Sequence, residues 1–256
     1  YYKVTVEHLL SHIETSVRKI TTEEIRTYLA EYQKNNKCSN VTVDNIRRNI
    51  SSFFSWLEEE DYILKSPMKR IHKIKTKTVV KSVITDEGIE QLRDNCKEIR
   101  DLAIIDLLYS TGIRVGELVN LNVDDIDLEG RECIVYGKGD KERRVYFDAK
   151  AKVHLKKYID HRKDNNSALF VTLDAPHDRL KISGVEIRLR ELGRRIDLER
   201  IHPHKFRRTM ATRAIDKGMP IEQVQKILGH SQIDTTMQYA MVNQNNVKTS
   251  HQKYMS

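Results

Sequence analysis

Between Lys65 and Lys81 the chain carries seven lysines and arginines and no aspartate or glutamate. Nothing else in the sequence constrains the fold as much. The segment KRIHKIKTKTVVK (69–81) follows Pro67 and has no clean helical or strand period, so it presents no continuous apolar face to bury and reads as a linker. The chain is then expected to fold as two bodies, and its 256 residues are enough to give each a core. The boundaries expected are a helical domain over 1–75, a basic linker over 76–83 and a second domain over 84–256. The chain opens on Tyr1-Tyr2, without a methionine and in what reads as mid-helix sequence, so an N-terminal part of the natural protein is expected to be missing.

Before the linker the apolar residues recur at helical spacing. TTEEIRTYLAEYQK (21–34) opens with a capping-box pair, Thr21 and Glu24, and aligns Ile25, Tyr28, Leu29 and Tyr32 on one stripe. TVDNIRRNISSFFSWLEEE (42–60) aligns Ile46, Ile50, Phe53, Phe54 and Leu57, and its other side offers Asn45, Arg47, Arg48 and Asn49. No long strand pattern occurs before residue 80.

Beyond the linker, ITDEGIEQLRDNC (84–96) reads as a capped helix, and RDLAIIDLLYSTG (100–112) as a buried one ending at Gly112. Residues 114–130 start helical and run into polar turns. RECIVYGKGDKERRVYFD (131–148) alternates as a hairpin, with Gly137-Lys138-Gly139-Asp140 at its tip. Helices return at 150–162, 182–195, 205–217 and 220–228. In LGHSQIDTTMQYAMV (228–242), Gly229 stops one helix, and Ser231, Asp234 or Thr235 caps another beginning near Thr235. The fold class expected is mainly α with a small antiparallel β-sheet.

The formal charge of +8 points to a polyanionic partner, nucleic acid before an anionic membrane surface. Cys38, Cys96 and Cys133 form no CxxC pair, which fits a reducing compartment and gives no zinc signature. No run approaches the roughly 20 apolar residues that span a bilayer. A cytoplasmic protein with no membrane partner is expected.

Cationic groups gather at element ends in the second part. Arg114 stands in STGIRVGELVNL with Glu117 three residues on, close enough to orient its guanidinium. Lys138 lies between two glycines at the hairpin tip, and His204 and Arg207 share a helical face in IHPHKFRRTMATRAI. His230 follows Gly229, and Tyr239 comes nine residues later. At roughly 100° per residue, nine residues put His230 and Tyr239 on opposite faces of one helix, so a shared site requires the break at Gly229.

In this order the motifs resemble the catalytic domain of the tyrosine recombinases, the phage-integrase family, and most of all its bacterial Xer and conjugative-transposon integrase branch. The family pattern is an arginine in a TGxRxxEL setting, a hairpin lysine in GKGxKxR, His-x-x-Arg, LGH, and a tyrosine after a TT pair. Residues 84–245 match it firmly, and the helical first part resembles the family's core-binding domain more loosely. One departure is Arg208, where close relatives often have histidine. His202, two places before the H-x-x-R motif, is expected to be structural.

The resemblance implies a two-domain DNA clamp and a catalytic set of Arg114, Lys138, His204, Arg207, His230 and Tyr239, supported by Glu117. Tyr239 would attack a DNA phosphodiester, giving a 3′-phosphotyrosyl link and a free 5′-hydroxyl, and the preserved bond energy would let rejoining proceed without ATP. Arg114 and Arg207 would grip the non-bridging oxygens, with His230 as a further donor, in the place a metal takes in other phosphoryl-transfer enzymes. His204 is the expected general base and Lys138 the general acid. No cofactor or metal is expected.

Double-stranded DNA is the implied partner, with Asn45, Arg47 and Arg48 facing the groove and Lys69, Arg70, Lys73, Lys75 and Lys77 crossing the phosphate backbone. Arg143 and Arg144 are expected to add phosphate contacts. The family implies a homo-oligomer on DNA, a dimer per site and a tetramer in the synapse, with residues 243–256 exchanged between protomers, at work in the bacterial nucleoid. The expected activity is site-specific recombination through a Holliday junction by the integrase of a mobile element. The alternatives are an Xer-type chromosome-dimer resolution recombinase, a type IB topoisomerase and a non-catalytic DNA-binding regulator.

Overall fold

Thr21 caps a helix of the first part where the sequence places it. The structure, a computed structural model, describes residues 1–75, 82–137, 142–198 and 200–240, and the chain divides into two compact units, Tyr1–Val79 and Val80–Ser256. The first unit holds helices α1 (Tyr2–His12), α2 (Thr22–Asn36) and α3 (Asn40–Glu59). Thr21 and Glu24 form the full capping box that starts α2: the Thr21 hydroxyl accepts from the Glu24 N–H, and the Glu24 carboxylate accepts from the Thr21 N–H at 2.7 Å. Leu9 of α1, Ile25 and Leu29 of α2, and Ile46, Ile50 and Phe54 of α3 bury together as its core.

The basic run departs from the linker expected at 69–81. A short 3₁₀ turn, Pro67–Arg70, buries Met68 in that core, and Ile71 and Ile74 pack on the same cluster. The Ile74 N–H donates to the buried Asp44 carboxylate at 3.1 Å. Apolar residues at 68, 71 and 74 therefore strap the start of the run onto the helices and leave Lys73 and Lys75 exposed between them. The expected linker at 76–83 lies, but for residues 82 and 83, outside the described residues.

The second unit is built around a buried helix. It contains α4 (Asp86–Asp94), α5 (Ile99–Thr111), α6 (Val115–Asn120), β1 (Ile126–Asp127), β2 (Glu132–Tyr136), β3 (Glu142–Tyr146), α7 (Ala149–His161), α8 (Ile182–Arg195), α9 (Pro203–Asp216), α10 (Ile221–Leu228) and α11 (Ile233–Ala240). α5 packs against α7 and α9 and buries Ala103, Ile104, Ile105, Leu107 and Leu108. Its acids are buried as well. Asp106 is held by Arg93 and His154, and Asp101 by Arg100 and Arg188. Asp101 meets two guanidinium groups, and Asp106 meets a guanidinium and an imidazole nitrogen, so each buried charge has more than one polar partner. Among the described residues no helix is long and apolar enough to cross a membrane.

The sheet is antiparallel in the order β1-β2-β3. In its register Cys133 faces Val145, Ile134 faces Arg144 and Val135 faces Arg143. Directly opposed residues share a face, so Arg143 points the way of the buried Val135 and Val145, and Arg144 points the other way. A small cluster of Met210, Ala211, Val224 and Leu228 ties α9 to α10, and Tyr239 of α11 packs on it.

Candidate active site

Three chain reversals bring the site together. The first is Gly112, which ends α5 in the left-handed conformation at φ 63° and delivers Arg114 to the N-cap of α6. There Arg114 and Glu117 bind twice: the Arg114 backbone N–H donates to Oε2 at 2.7 Å and its guanidinium to Oε1 at 2.8 Å. The expected orientation of Arg114 by Glu117 is what the geometry contains.

The second is the turn into α9, which carries His204 and Arg207. Arg207 is 4% exposed and donates to the carbonyls of Gly112 at 2.7 Å and Leu228 at 2.5 Å, and to His230 Nε2 at 3.0 Å. Burial, and then the nearby Arg114 cation, lower its pKa to about 10, so it remains charged at neutral pH.

The third is Gly229, which ends α10 in the left-handed conformation, also at φ 63°. It lets the chain turn so that His230 and Tyr239 meet, with ring centroids 6.1 Å apart and planes 29° from parallel. α11 begins at Ile233, so Asp234 and Thr235 lie in its first turn instead of capping it.

The hydrogen bonds fix the form of His230. A guanidinium only donates, so Nε2 must accept from Arg207, and the ring proton sits on Nδ1, 2.9 Å from the fully buried Thr236 hydroxyl. Burial, and then Arg207, Arg114 and Arg143, push its pKa down to about 4. His230 was expected to donate to a phosphate. Here it is neutral and accepts, because the nearest donor is a buried arginine. His204 lies exposed at the rim; the desolvation it feels, and then Arg207 and Arg114, also lower its pKa. A cavity of about 970 Å³, with Arg114, Arg143, Gly229 and His230 in its lining, opens beside the cluster.

The structure thus gathers Arg114, Glu117, His204, Arg207, His230 and Tyr239. Lys138 and Lys77 lie outside the described residues, as do residues 243–256. Arg143 departs from expectation. It is 13% exposed by side chain and spends all three nitrogens inside the protein, two on Glu117 at 2.7 Å each and one on the Ile227 carbonyl at 3.0 Å. Arg144, on the outer face, pairs with Glu132 and stays largely exposed. Arg47 likewise turns to Asp44 at 2.8 Å and is 12% exposed, whereas Arg48 is exposed and Asn45 accepts a hydrogen bond from it. Lys69 pairs with Glu58, and Arg70, Lys73 and Lys75 are exposed.

Two residues outside the expected set adjoin the cluster. The Thr236 hydroxyl partners His230 Nδ1 at 2.9 Å, and the TT pair of the motif was its only trace in the sequence. Arg208 lies within electrostatic reach of Tyr239; burial lowers its pKa, and its buried Nε has no hydrogen-bond partner. Among the described residues no group of three His, Cys, Asp or Glu is placed to hold a metal ion.

Comparison with known proteins places the chain in a family. Residues 82–246 match the phage integrase family, and residues 1–64 match the phage integrase N-terminal SAM-like domain. Tyrosine recombinase XerC of Oceanobacillus iheyensis is 30% identical over 256 residues, 95% of this chain and 82% of that protein. Tyrosine recombinase XerC of Leptospira interrogans is 32% identical over 249 residues, 94% of this chain and 80% of that one. Among solved structures, XerA recombinase superposes with a TM-score of 0.63 at 26% identity, covering 100% of this chain and 90% of that one. The fold is also that of the Tn1549 transposon integrase bound to transposon right end DNA, with a TM-score of 0.81 at 19% identity and coverage of 99% and 93%. With the family matched over the region that builds the tyrosine–histidine–arginine cluster, the chain belongs to the phage integrase family, the tyrosine recombinases.

Proposed function

We propose that the chain is a site-specific DNA recombinase, the integrase of a bacterial mobile element, that cuts and rejoins duplex DNA through a 3′-phosphotyrosyl intermediate and a Holliday junction. The observation that carries the reading is the Tyr239 ring laid against His230, whose other edge accepts from the buried Arg207. A tyrosine so placed beside fixed cations has both its phenolate and the phosphate it attacks stabilised in a partly dehydrated site.

In the cleavage step the Tyr239 oxygen forms the bond to phosphorus as the bond to the 5′-oxygen breaks. The phenolic proton passes to His204, whose lowered pKa keeps it neutral and able to accept at neutral pH. Lys138 gives a proton to the departing 5′-oxygen. Arg114 and Arg207 hold the non-bridging oxygens, and His230 fixes Arg207 and the Tyr239 ring. These cations do the work of a metal, so neither metal nor ATP is used. EDTA is expected to leave cleavage unchanged, and a loss that Mg²⁺ restores at constant DNA binding would contradict this.

Exposed Arg48, Arg70, Lys73 and Lys75 are the phosphate contacts we propose for the first unit, with Asn45 in the groove. Protomers pair on each site and join as a tetramer in the synapse, with residues 243–256 exchanged between them in the nucleoid. A second reading, an Xer-type recombinase, is favoured by the identity to XerC proteins. A nicked suicide duplex separates the broader classes. A recombinase leaves a covalent adduct and, with an unnicked pair of sites, exchanges strands. A topoisomerase leaves the adduct without exchange, and a regulator leaves none.

A further inference from the structure

Arg143 and Arg144 are neighbours in sequence with opposite surroundings, and the sheet register is the cause. The pleat turns Arg143 inward from β3 toward the N-cap of α6 and the C-terminal turn of α10. Its two terminal nitrogens take both oxygens of Glu117, and its Nε takes the Ile227 carbonyl at 3.0 Å. The same Glu117 oxygens take the Arg114 backbone N–H and guanidinium. The Arg114 guanidinium also donates to the Gly229 carbonyl at 3.3 Å. The contacts close a ring through Glu117, Arg143, the 227–229 turn and Arg114. His230 follows directly on that turn.

Gly229 sits inside the ring. A Cβ there would lie 3.0 Å from Arg143 Cδ and 3.1 Å from its Nε, so the arginine side chain lies across the glycine face. Glycine therefore serves two needs, the left-handed φ and the close passage of Arg143. Burial pushes the Glu117 carboxyl up, but the hydrogen bonds from Arg143 and the Arg114 N–H outweigh it and hold the pKa below the usual carboxylate range. Glu117 stays ionised, and its charge is shared by two guanidinium groups.

We propose that Arg143 is a positioning residue for strand cleavage. It touches no phosphate. It fixes Glu117, and through Glu117 it sets the direction of the Arg114 fork, while its Nε and side chain hold the turn that aims His230. The hairpin that carries Lys138 is thereby tied by one side chain to both the phosphate-gripping arginine and the histidine turn. Rigid support of this kind matters because a misplacement of about 1 Å costs on the order of 10²-fold in rate. A lysine in its place keeps the charge but cannot bridge both carboxylate oxygens and the Ile227 carbonyl from one planar group.

The inference rests on the recombinase reading above, and the experiment keeps the two apart. A half-site selected from random duplexes by the unaltered chain is built into a nicked suicide substrate, and single-turnover adduct formation and half-site affinity are measured. R143K is expected to slow cleavage about 10²-fold with affinity held within about 2-fold, since no phosphate contact is lost. In an E117Q background the same substitution is expected to cost less than about 3-fold, because the ring is already broken. An equal cost in both backgrounds, the signature of a general structural role, would overturn the proposal. So would lost affinity with a salt slope reduced by about one, the signature of a direct phosphate contact. If R143K does not fold, the neutral pair E117Q/R143Q decides: cleavage at the unaltered rate overturns the proposal, and a loss of about 10²-fold in a folded, DNA-binding protein supports it. Absence of any adduct from the unaltered chain would overturn the recombinase reading, and this inference with it.

Discussion

The cations proposed to meet DNA in the first unit and those gathered at the site in the second have opposite surroundings. In the first, Arg48 is 63% exposed by side chain and Lys69 53%, and Lys73 and Lys75 project from a strap anchored by Met68, Ile71 and Ile74. In the second, Arg207 is 4% exposed as a residue, and the Arg143 and Arg114 side chains 13% and 37%. Exposed cations attract a polyanion without direction, and counterion release sets the strength of that attraction. Cations with fixed partners, Arg207 buried and Arg143 and Arg114 partly so, are held from reorienting and stabilise charge where it develops. On the function proposed here the contrast separates holding DNA from acting on it, and it gives each unit a different expected response to mutation.

The largest effects belong to the buried set. Arg207→Ala is expected to lower the cleavage rate by about 10²–10³-fold. It also leaves the Gly112 and Leu228 carbonyls without a donor, so the melting temperature should fall. Arg114→Ala should cost a similar factor in rate, and both should cost more than His204→Ala. If His204→Ala proved the most damaging of the three, electrostatic grip would not be the main contributor.

Exposed cations are expected to act on affinity alone. K73A/K75A should weaken half-site binding and reduce the salt slope by about two, while the cleavage rate at saturating DNA stays unchanged. A fall in that rate would erase the distinction between the units.

The smallest effect concerns pH. His230 has a folded pKa near 4, below its ordinary value, so the unfolded chain takes up the proton first. Its neutral form favours the folded state most above about pH 6.5, and that contribution is lost as pH falls from there towards 4. Nitrogen-15 shifts of the His230 ring should report an Nδ1-protonated neutral imidazole down to about pH 5. A midpoint near 6.5 would show that neither burial nor the arginine field acts on this ring.

Local rules carried much of the fold and of the site into the sequence. The Thr21–Glu24 box, the Gly229 stop and the buried helix ending at Gly112 follow from propensity and periodicity, which one chain segment contains by itself. The set Arg114, His204, Arg207, His230 and Tyr239 was legible for a different reason, the resemblance of its ordered motifs to the tyrosine recombinases. What was not legible depends on partners far away in the chain. Asp106 reads as a polar interruption of α5 until Arg93 and His154 surround it. Arg47 reads as a groove-facing cation until Asp44 turns it inward.

Arg143 is an intermediate case. It shares the phase of Val145 in β3 and of Phe147 just beyond it, and that alternation alone marks it as inward, against the expectation that its charge would carry it to a phosphate. The strap is similar, since Met68, Ile71 and Ile74 recur every three residues beneath the lysines. Charge was the louder signal at both places, and burial decided the outcome.

The central claim is that the oxygen of Tyr239, held against His230 beside Arg207, forms the bond to DNA. The direct measurement is the yield of denaturation-resistant protein–DNA complex from the nicked half-site, for the unaltered chain and for Tyr239→Phe. The account predicts an adduct that maps to the peptide containing Tyr239, and none from the phenylalanine variant at nearly unchanged affinity. A covalent complex recovered from Tyr239→Phe would contradict it.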